Sequence, residues 1–197
     1  MKIQSILFGI FIFILLTLIY GCSGPWKGKV IDVETKEPVE GAVVMAVWDR
    51  VYRTPMGTNN YFYEAKETLT NKDGEYEIPS YTPINILPII SYMSGPFFTI
   101  YKPGYGSIQG LDLEHIFINT TKGKMEWKER DKGFAISPGI VELPKLKTIE
   151  ERKSFTGPSP QGHDKDYKKQ KLLINYLREE HKFLFPTSTG TLYGTEQ

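Results

Sequence analysis

Three histidines, His115, His163 and His181, are the side chains best suited to proton transfer near neutral pH. They stand far apart in the chain, and none belongs to an H-E-x-x-H pair or another spacing that seats zinc on one helix face. A metallopeptidase centre is not expected. Ser159, His163 and Asp164 have the residue types of a nucleophile set, yet they crowd one predicted helix start, where Ser and Asp serve as caps. Glu150-Glu151 and Glu179-Glu180 pair acids on charged helical faces and read as solvated surface. Asn71-Lys72-Asp73-Gly74-Glu75 alternates oxygen side chains around a glycine, as a calcium loop does. Such a loop needs a ligand at its first position and a bidentate Glu at its twelfth, where this chain has Leu69 and Ser80. A tight turn into a strand is the better reading. No glycine-rich phosphate loop and no G-x-S-x-G elbow occurs. Catalysis, a metal and a cofactor are therefore not expected, an enzyme with a site assembled from distant residues being the least favoured alternative.

Composition narrows the partners. At 197 residues the chain has room for one domain plus an extension. Its 24 Lys and Arg nearly balance 23 Asp and Glu, whereas a nucleic-acid binder shows a basic excess, because phosphate contacts dominate that affinity. Nucleic acid is disfavoured. Cys22 is the one cysteine, which excludes an intramolecular disulfide and a multi-cysteine zinc site. The 12 Tyr and 11 Phe suit pleated strands.

The elements follow from periodicity. Trp26, Gly28 and Val30 alternate with Lys27 and Lys29, which predicts a half-buried strand. Glu34 to Pro38 has no apolar residue and turns the chain. Gly41 to Trp48 is apolar in both phases, as a strand covered on both faces must be. Tyr76 and Ile78 alternate with Glu75 and Glu77, Phe97 to Lys102 is rich in strand formers, and Gly139 to Pro144 predicts a last strand that rejoins the sheet. Between them, Pro83 to Ile90 is apolar and proline-broken, an edge strand or a packed loop. Leu111, Leu113, Ile116 and Phe117 allow a short helix or an irregular strand. Strands punctuated by turns at this spacing predict a mainly β, antiparallel sandwich.

At the amino end, Lys2 precedes an almost unbroken apolar run from Ile3 to Ile19 that sits where a secretory signal sits. Ile19-Tyr20-Gly21-Cys22 resembles the lipobox of bacterial lipoproteins, although Tyr20 is bulkier than the usual residue there. The resemblance implies a signal peptide over 1–21, acylation of Cys22 and a lipidated tether over 22–25. An uncleaved anchor helix is the alternative, and both place the domain on a membrane. Ser23 stands where an inner-membrane retention signal in enteric bacteria carries Asp, so a cell-envelope location with the outer membrane favoured is implied.

Four motifs in order, Gly28-Lys29-Val30-Ile31-Asp32, Thr35-Lys36-Glu37-Pro38-Val39-Glu40-Gly41-Ala42-Val43-Val44, Thr70-Asn71-Lys72-Asp73-Gly74-Glu75-Tyr76 and Lys102-Pro103-Gly104-Tyr105, resemble the carboxypeptidase regulatory-like domain. That family is a transthyretin-like β-sandwich appended to many exported proteins, and its name does not imply peptidase activity. The resemblance implies a sandwich over 26–146. Asp49 to Lys66 is longer than the usual connection in such a domain, a long loop in which Tyr52, Tyr61, Phe62 and Tyr63 stand among Arg50 and Arg53. Long loops on rigid sandwiches carry binding residues, and Tyr and Arg are favoured at contact centres. These four aromatics are the candidate binding surface, for a protein or glycan; the alternative is that they pack on the sandwich edge or extend a hairpin.

The remaining residues, 147–197, predict a helical extension and polar tail. Thr148 to Arg152 starts a short helix, and a longer one runs from about His163 to Phe185, with Asp164 and Asp166 at its positive end and Pro186 to stop it. Leu172, Leu173, Tyr176, Leu177 and Leu184 make a narrow apolar stripe that suits docking on the domain itself. The Lys168-Lys169-Gln170-Lys171 cluster allows a membrane-surface or partner-binding helix instead. Taken together, the sequence predicts a membrane-anchored binding or scaffolding module, or a structural component of an envelope assembly.

Overall fold

The alternation read in Trp26 to Asp32 builds the first layer. In the computed structural model, which describes residues 25–109, 115–119, 125–129, 139–155, 157–188 and 192–193, β1 (Trp26–Asp32) buries Trp26, Gly28 and Val30 and exposes Lys27. The leader, Cys22, Leu111, Leu113 and most of the polar tail lie outside the described residues. β4 (Glu75–Ile78) pairs antiparallel with β1 and turns Tyr76 and Ile78 inward, Glu75 and Glu77 outward. Side chains on this layer are close-fitted: a Cβ at Gly28 would sit 2.5 Å from Tyr76 Oη and 2.8 Å from the Gly139 carbonyl oxygen. Only glycine fits there. β9 (Gly139–Leu143) joins the free edge of β1 in parallel, with Val30 opposite Val141 and Asp32 opposite Leu143. This one parallel pair departs from the antiparallel expectation. The chain reaches it after crossing the second sheet, so it returns along β1 in the same direction.

The second layer is a four-stranded antiparallel sheet in the order β3-β2-β5-β6, formed by β2 (Val43–Thr54), β3 (Gly57–Leu69), β5 (Ser91–Tyr101) and β6 (Ser107–Gln109). Its inner face sends Val44, Ala46, Trp48, Phe98 and Ile100 against Trp26, Val30, Ile78 and Leu143 of the first layer. That interface is the core of a β-sandwich. The outer face sends Val43, Met45, Val47, Ala65 and Tyr101 against the C-terminal helix. The double apolar phase of β2 thus has two separate causes, one sheet and one helix. A further hairpin, β7 (His115–Asn119) and β8 (Met125–Glu129), resolves the segment around Ile116 and Phe117 as strand.

The C-terminal part is helical in three pieces. α1 (Ile149–Ser154) starts at a capping box in which Thr148 Oγ1 accepts the Glu151 N–H at 3.1 Å. The long helix expected from His163 to Phe185 is divided into a 3₁₀ helix (Asp164–Lys169) and α2 (Lys171–Leu184). Gln170 causes the break. Its fully buried amide accepts the Gln161 N–H at 2.8 Å and donates to the Gln161 carbonyl at 2.7 Å, with its backbone at φ −131°, ψ 37°, away from helical values. Glu67, on β3, then does the capping: its two carboxylate oxygens accept the Leu172 and Leu173 N–H groups at 3.0 and 2.9 Å.

α2 docks on its own domain through Leu173 and Leu177. Tyr176 donates its hydroxyl to the Gly41 carbonyl at 2.8 Å, and Arg152 forks onto Glu180, tying α1 to α2. One lysine of the basic cluster is spent on this docking: Lys169 donates to the Tyr63 carbonyl at 3.0 Å and lies 3.3 Å from the Glu64 carboxylate. Among the described residues no helix is long and apolar enough to cross a membrane.

Candidate functional site

Asp49 to Lys66 is not a loop. It is the outer part of the β2–β3 hairpin, which stays paired to Thr54 and Gly57, where Thr54 Oγ1 donates to the Gly57 carbonyl at 2.9 Å. Val51, Tyr52, Thr54, Thr58, Tyr61 and Tyr63 are strand formers, so extending the ladder suits this stretch better than an open loop. A register shift between Trp48 and Asp49, shared by the β2–β3 and β2–β5 pairs, marks where the sheet leaves the sandwich. Six residues of β2 continue past it, about 20 Å at the usual rise per residue.

The four aromatics expected to form one surface are divided between two faces. Tyr52 and Tyr61 meet edge to face at 5.6 Å between ring centroids, with Tyr61 more than half exposed. Tyr63 lies under the Arg50 guanidinium, 4.8 Å from ring centroid to Cζ, and is partly buried against the inter-sheet core. It supports the surface rather than presenting it. Phe62 packs on the helix side, beneath Lys169 Nζ at 5.6 Å. Alternation dictates this division, because neighbours in a strand point to opposite faces.

Arg53, next to Tyr52 in the strand, lies on the opposite face together with Tyr92, which stands across from Val51. Arg53 stacks over Tyr92 of β5 at 5.3 Å, and its backbone N–H donates to the Ile90 carbonyl at 2.9 Å. That bond lays the segment 82–90 alongside the hairpin, reinforced by the Ile84 carbonyl, which accepts from Arg50 and from the Tyr63 hydroxyl at 3.4 Å each. The segment exposes Ile84, Ile86, Leu87, Ile89 and Ile90. Its sequence signal is the uncharged run from Pro79 to Met93.

Two concavities flank these features. At the register shift, Asp49, Asn60, Thr99, Gln109 and Gln161 line a cleft of about 250 Å³, and burial pushes the Asp49 carboxyl above the ordinary aspartate range. At the opposite end, Asp32, Glu37, Tyr105, Lys145 and Lys147 line one of about 410 Å³. Asp32 is engaged there in holding a turn, accepting the Glu34 and Thr35 N–H groups at 2.8 and 3.1 Å. Burial, then the nearby Asp32, raises the Tyr105 phenol. Tyr81, packed against Trp48, is pushed up to about 12 by burial first and by Tyr63 and Glu64 second.

The other residues weighed for chemistry have structural partners. Asn71 Oδ1 accepts the Asp73 and Glu75 N–H groups at 3.0 and 2.9 Å, a turn and not a calcium loop. His163 donates its N–H to Asp166 at 3.0 Å at the 3₁₀ start, and His181 lies 5.2 Å from Phe185 on α2. Among the described residues, no group of three or more His, Cys, Asp or Glu could hold a metal ion.

No family model matches the chain, and no curated protein does. A crystal structure of a 9R-lipoxygenase from Cyanothece is similar over 83% of this chain, at 14% identity and a TM-score of 0.29. The chain spans about a quarter of that protein's length, 25%, and a likeness at this level carries no argument.

Proposed function

We propose that this chain is an exported bacterial lipoprotein, acylated at Cys22, whose sandwich is a binding or scaffolding module of the cell envelope without catalysis. The observation that carries the binding role is the edge-to-face pair of Tyr52 and Tyr61 on one face of the outer hairpin, with Arg50 over Tyr63 beside it and Arg53 over Tyr92 on the opposite face. Rings already held by neighbouring rings and guanidinium groups lose little freedom when a partner docks, so their contact area is turned efficiently into affinity. Aromatic faces of this kind suit a protein or a glycan. The resemblance to carboxypeptidase regulatory-like domains supports the scaffolding role. Its motifs fall on β1, the turn into β2, the turn into β4 and the turn after β5.

The test is Tyr52→Ala with Tyr61→Ala in the full chain, assayed by crosslinking in intact cells and by glycan binding. Tyr61 is more than half exposed and Tyr52 partly so, and losing their ring pair costs about 1 kcal/mol, a few degrees of melting temperature in a chain that still folds. Recovery of the partner is lost. Undiminished recovery from a folded double variant contradicts the assignment of this face.

A further inference from the structure

We propose that the end of the sandwich carrying Met56 and the segment 84–90 inserts into the lipid bilayer, fixing how the domain stands on the membrane. The inference rests on the lipid-anchored reading above and supplies the geometry that reading lacks.

The patch is apolar and unusually open. Met56 at the hairpin turn is fully exposed, and Ile89 is 87% exposed beside Ile84, Ile86, Leu87 and Ile90. Soluble surfaces scatter such residues singly; contiguous aliphatic patches mark a contact. The hydrogen bond from Arg53 to Ile90 and the pairing of Tyr52 with Ser91 bring the segment level with the outer hairpin, so Met56 and the isoleucines lie at one end of the same sheet. Arg53 stands level with Ile90 and stacks back over Tyr92, and Tyr61 lies farther from the tip, opposite Arg50. Aliphatic tip, then tyrosine and arginine, is the order in which a membrane interface takes side chains: aliphatic groups to the acyl boundary, aromatic rings and cations to the headgroups. From Pro79 to Met93 there is no charged residue to oppose entry.

Where the anchor joins the domain selects the bilayer as the occupant. Trp26, the first residue of β1, pairs with Ile78 and contacts Trp48, at the register shift from which the hairpin projects. The tether therefore joins the sandwich at the same end as the apolar patch. Trp26 is four positions after Cys22 in the sequence, a reach of about 14 Å at full extension. The hairpin projects about 20 Å beyond that level. With Cys22 acylated, a tether shorter than the projection brings the tip to the bilayer. Insertion of about 5–10 Å, the usual depth for an apolar face in the interface, buries the tip. Tyr61, four residues back from Gly57, stays near the headgroup layer, where an envelope partner can reach it.

The test uses the full chain reconstituted in vesicles of phosphatidylethanolamine and phosphatidylglycerol. An environment-sensitive fluorophore is placed at Ile89→Cys or, in the exposed turn at the opposite end, at Lys72→Cys. Nitroxide-labelled lipids are expected to quench the label at position 89 roughly twofold or more, with a blue shift, and to leave that at 72 unchanged. An unquenched label at 89 on membrane-bound protein overturns the proposal, as does equal quenching at both positions. Energy transfer between labels at 89 on two chains also overturns it, in favour of a second copy as the occupant. The anchor is read separately. Cys22 is the one cysteine of the unsubstituted chain, so fluorophore uptake by that chain reports a free thiol and contradicts acylation, whereas uptake by the substituted chains alone places the label at 89 or 72 and reads the insertion.

Discussion

Asp49 stands where β2 leaves the sandwich, and its environment makes a pH-dependent contribution to stability. Burial raises its pKa above the ordinary value of 3.8, so the folded chain holds this proton more tightly than the unfolded chain does. Folding gains from that proton below pH 3.8. The gain fades as pH rises through the raised value, beyond which a half-buried charge is carried at a cost. Asp49→Asn removes the cost, so the variant is expected to melt higher than the native chain at pH 7, with the difference shrinking toward pH 4. Thermal melts across that range check it; a constant difference contradicts the burial argument. Single residues were also the most legible level of the sequence where alternation spoke. Trp26, Val30, Tyr76 and Ile78 are buried, as their spacing predicts. The fit of Gly28 beneath Tyr76 was not legible, because it depends on which strand becomes the neighbour.

Elements were legible when their cause was local and misread when a distant group intervened. The capping box of α1 is written in Thr148 and Glu151, three residues apart. The division of the next helix is not, because it depends on Gln161 and on Glu67, 103 positions before Gln170 in a different layer. Asp164 and Asp166 do stand in the first turn of the 3₁₀ piece, but the positive end of α2 belongs to Glu67. For Asp49 to Lys66, the reading as a long loop fails and the alternative of an extended hairpin holds, as its alternating tyrosines and β-branched residues already favoured. The docking of α2 carries a direct test. Leu173 is fully buried between helix and sheet, and Leu173→Ala removes its contacts with the outer face of β2, at an expected cost of about 2–5 kcal/mol in chemical denaturation. A loss below about 1 kcal/mol would mean that the helix is only loosely applied to the sheet.

At the scale of the whole molecule, three layers explain the sequence: a small sheet, a larger sheet, and a helix that covers the larger sheet's other face. The doubly apolar Gly41 to Trp48 and the narrow stripe of α2 are two halves of one interface, and each was visible alone. Their meeting was not, since neither pattern names its partner. The same limit applied to the candidate site. Tyr52 and Tyr61 were picked out by type, but which tyrosines share a face followed only from the pairing of β2 with β3. The exposure of the isoleucines was not legible, because the apolar, proline-broken run from Pro83 to Ile90 reads as an edge strand or a packed loop.

The hairpin's direction and the insertion of its tip depend on one covalent bond, the thioether that would carry lipid at Cys22. Growth with a radioactive fatty acid, followed by recovery of the native chain and of Cys22→Ala, measures it most directly. The account predicts label on the native chain and none on the variant. An unlabelled native chain, or label on both alike, contradicts it.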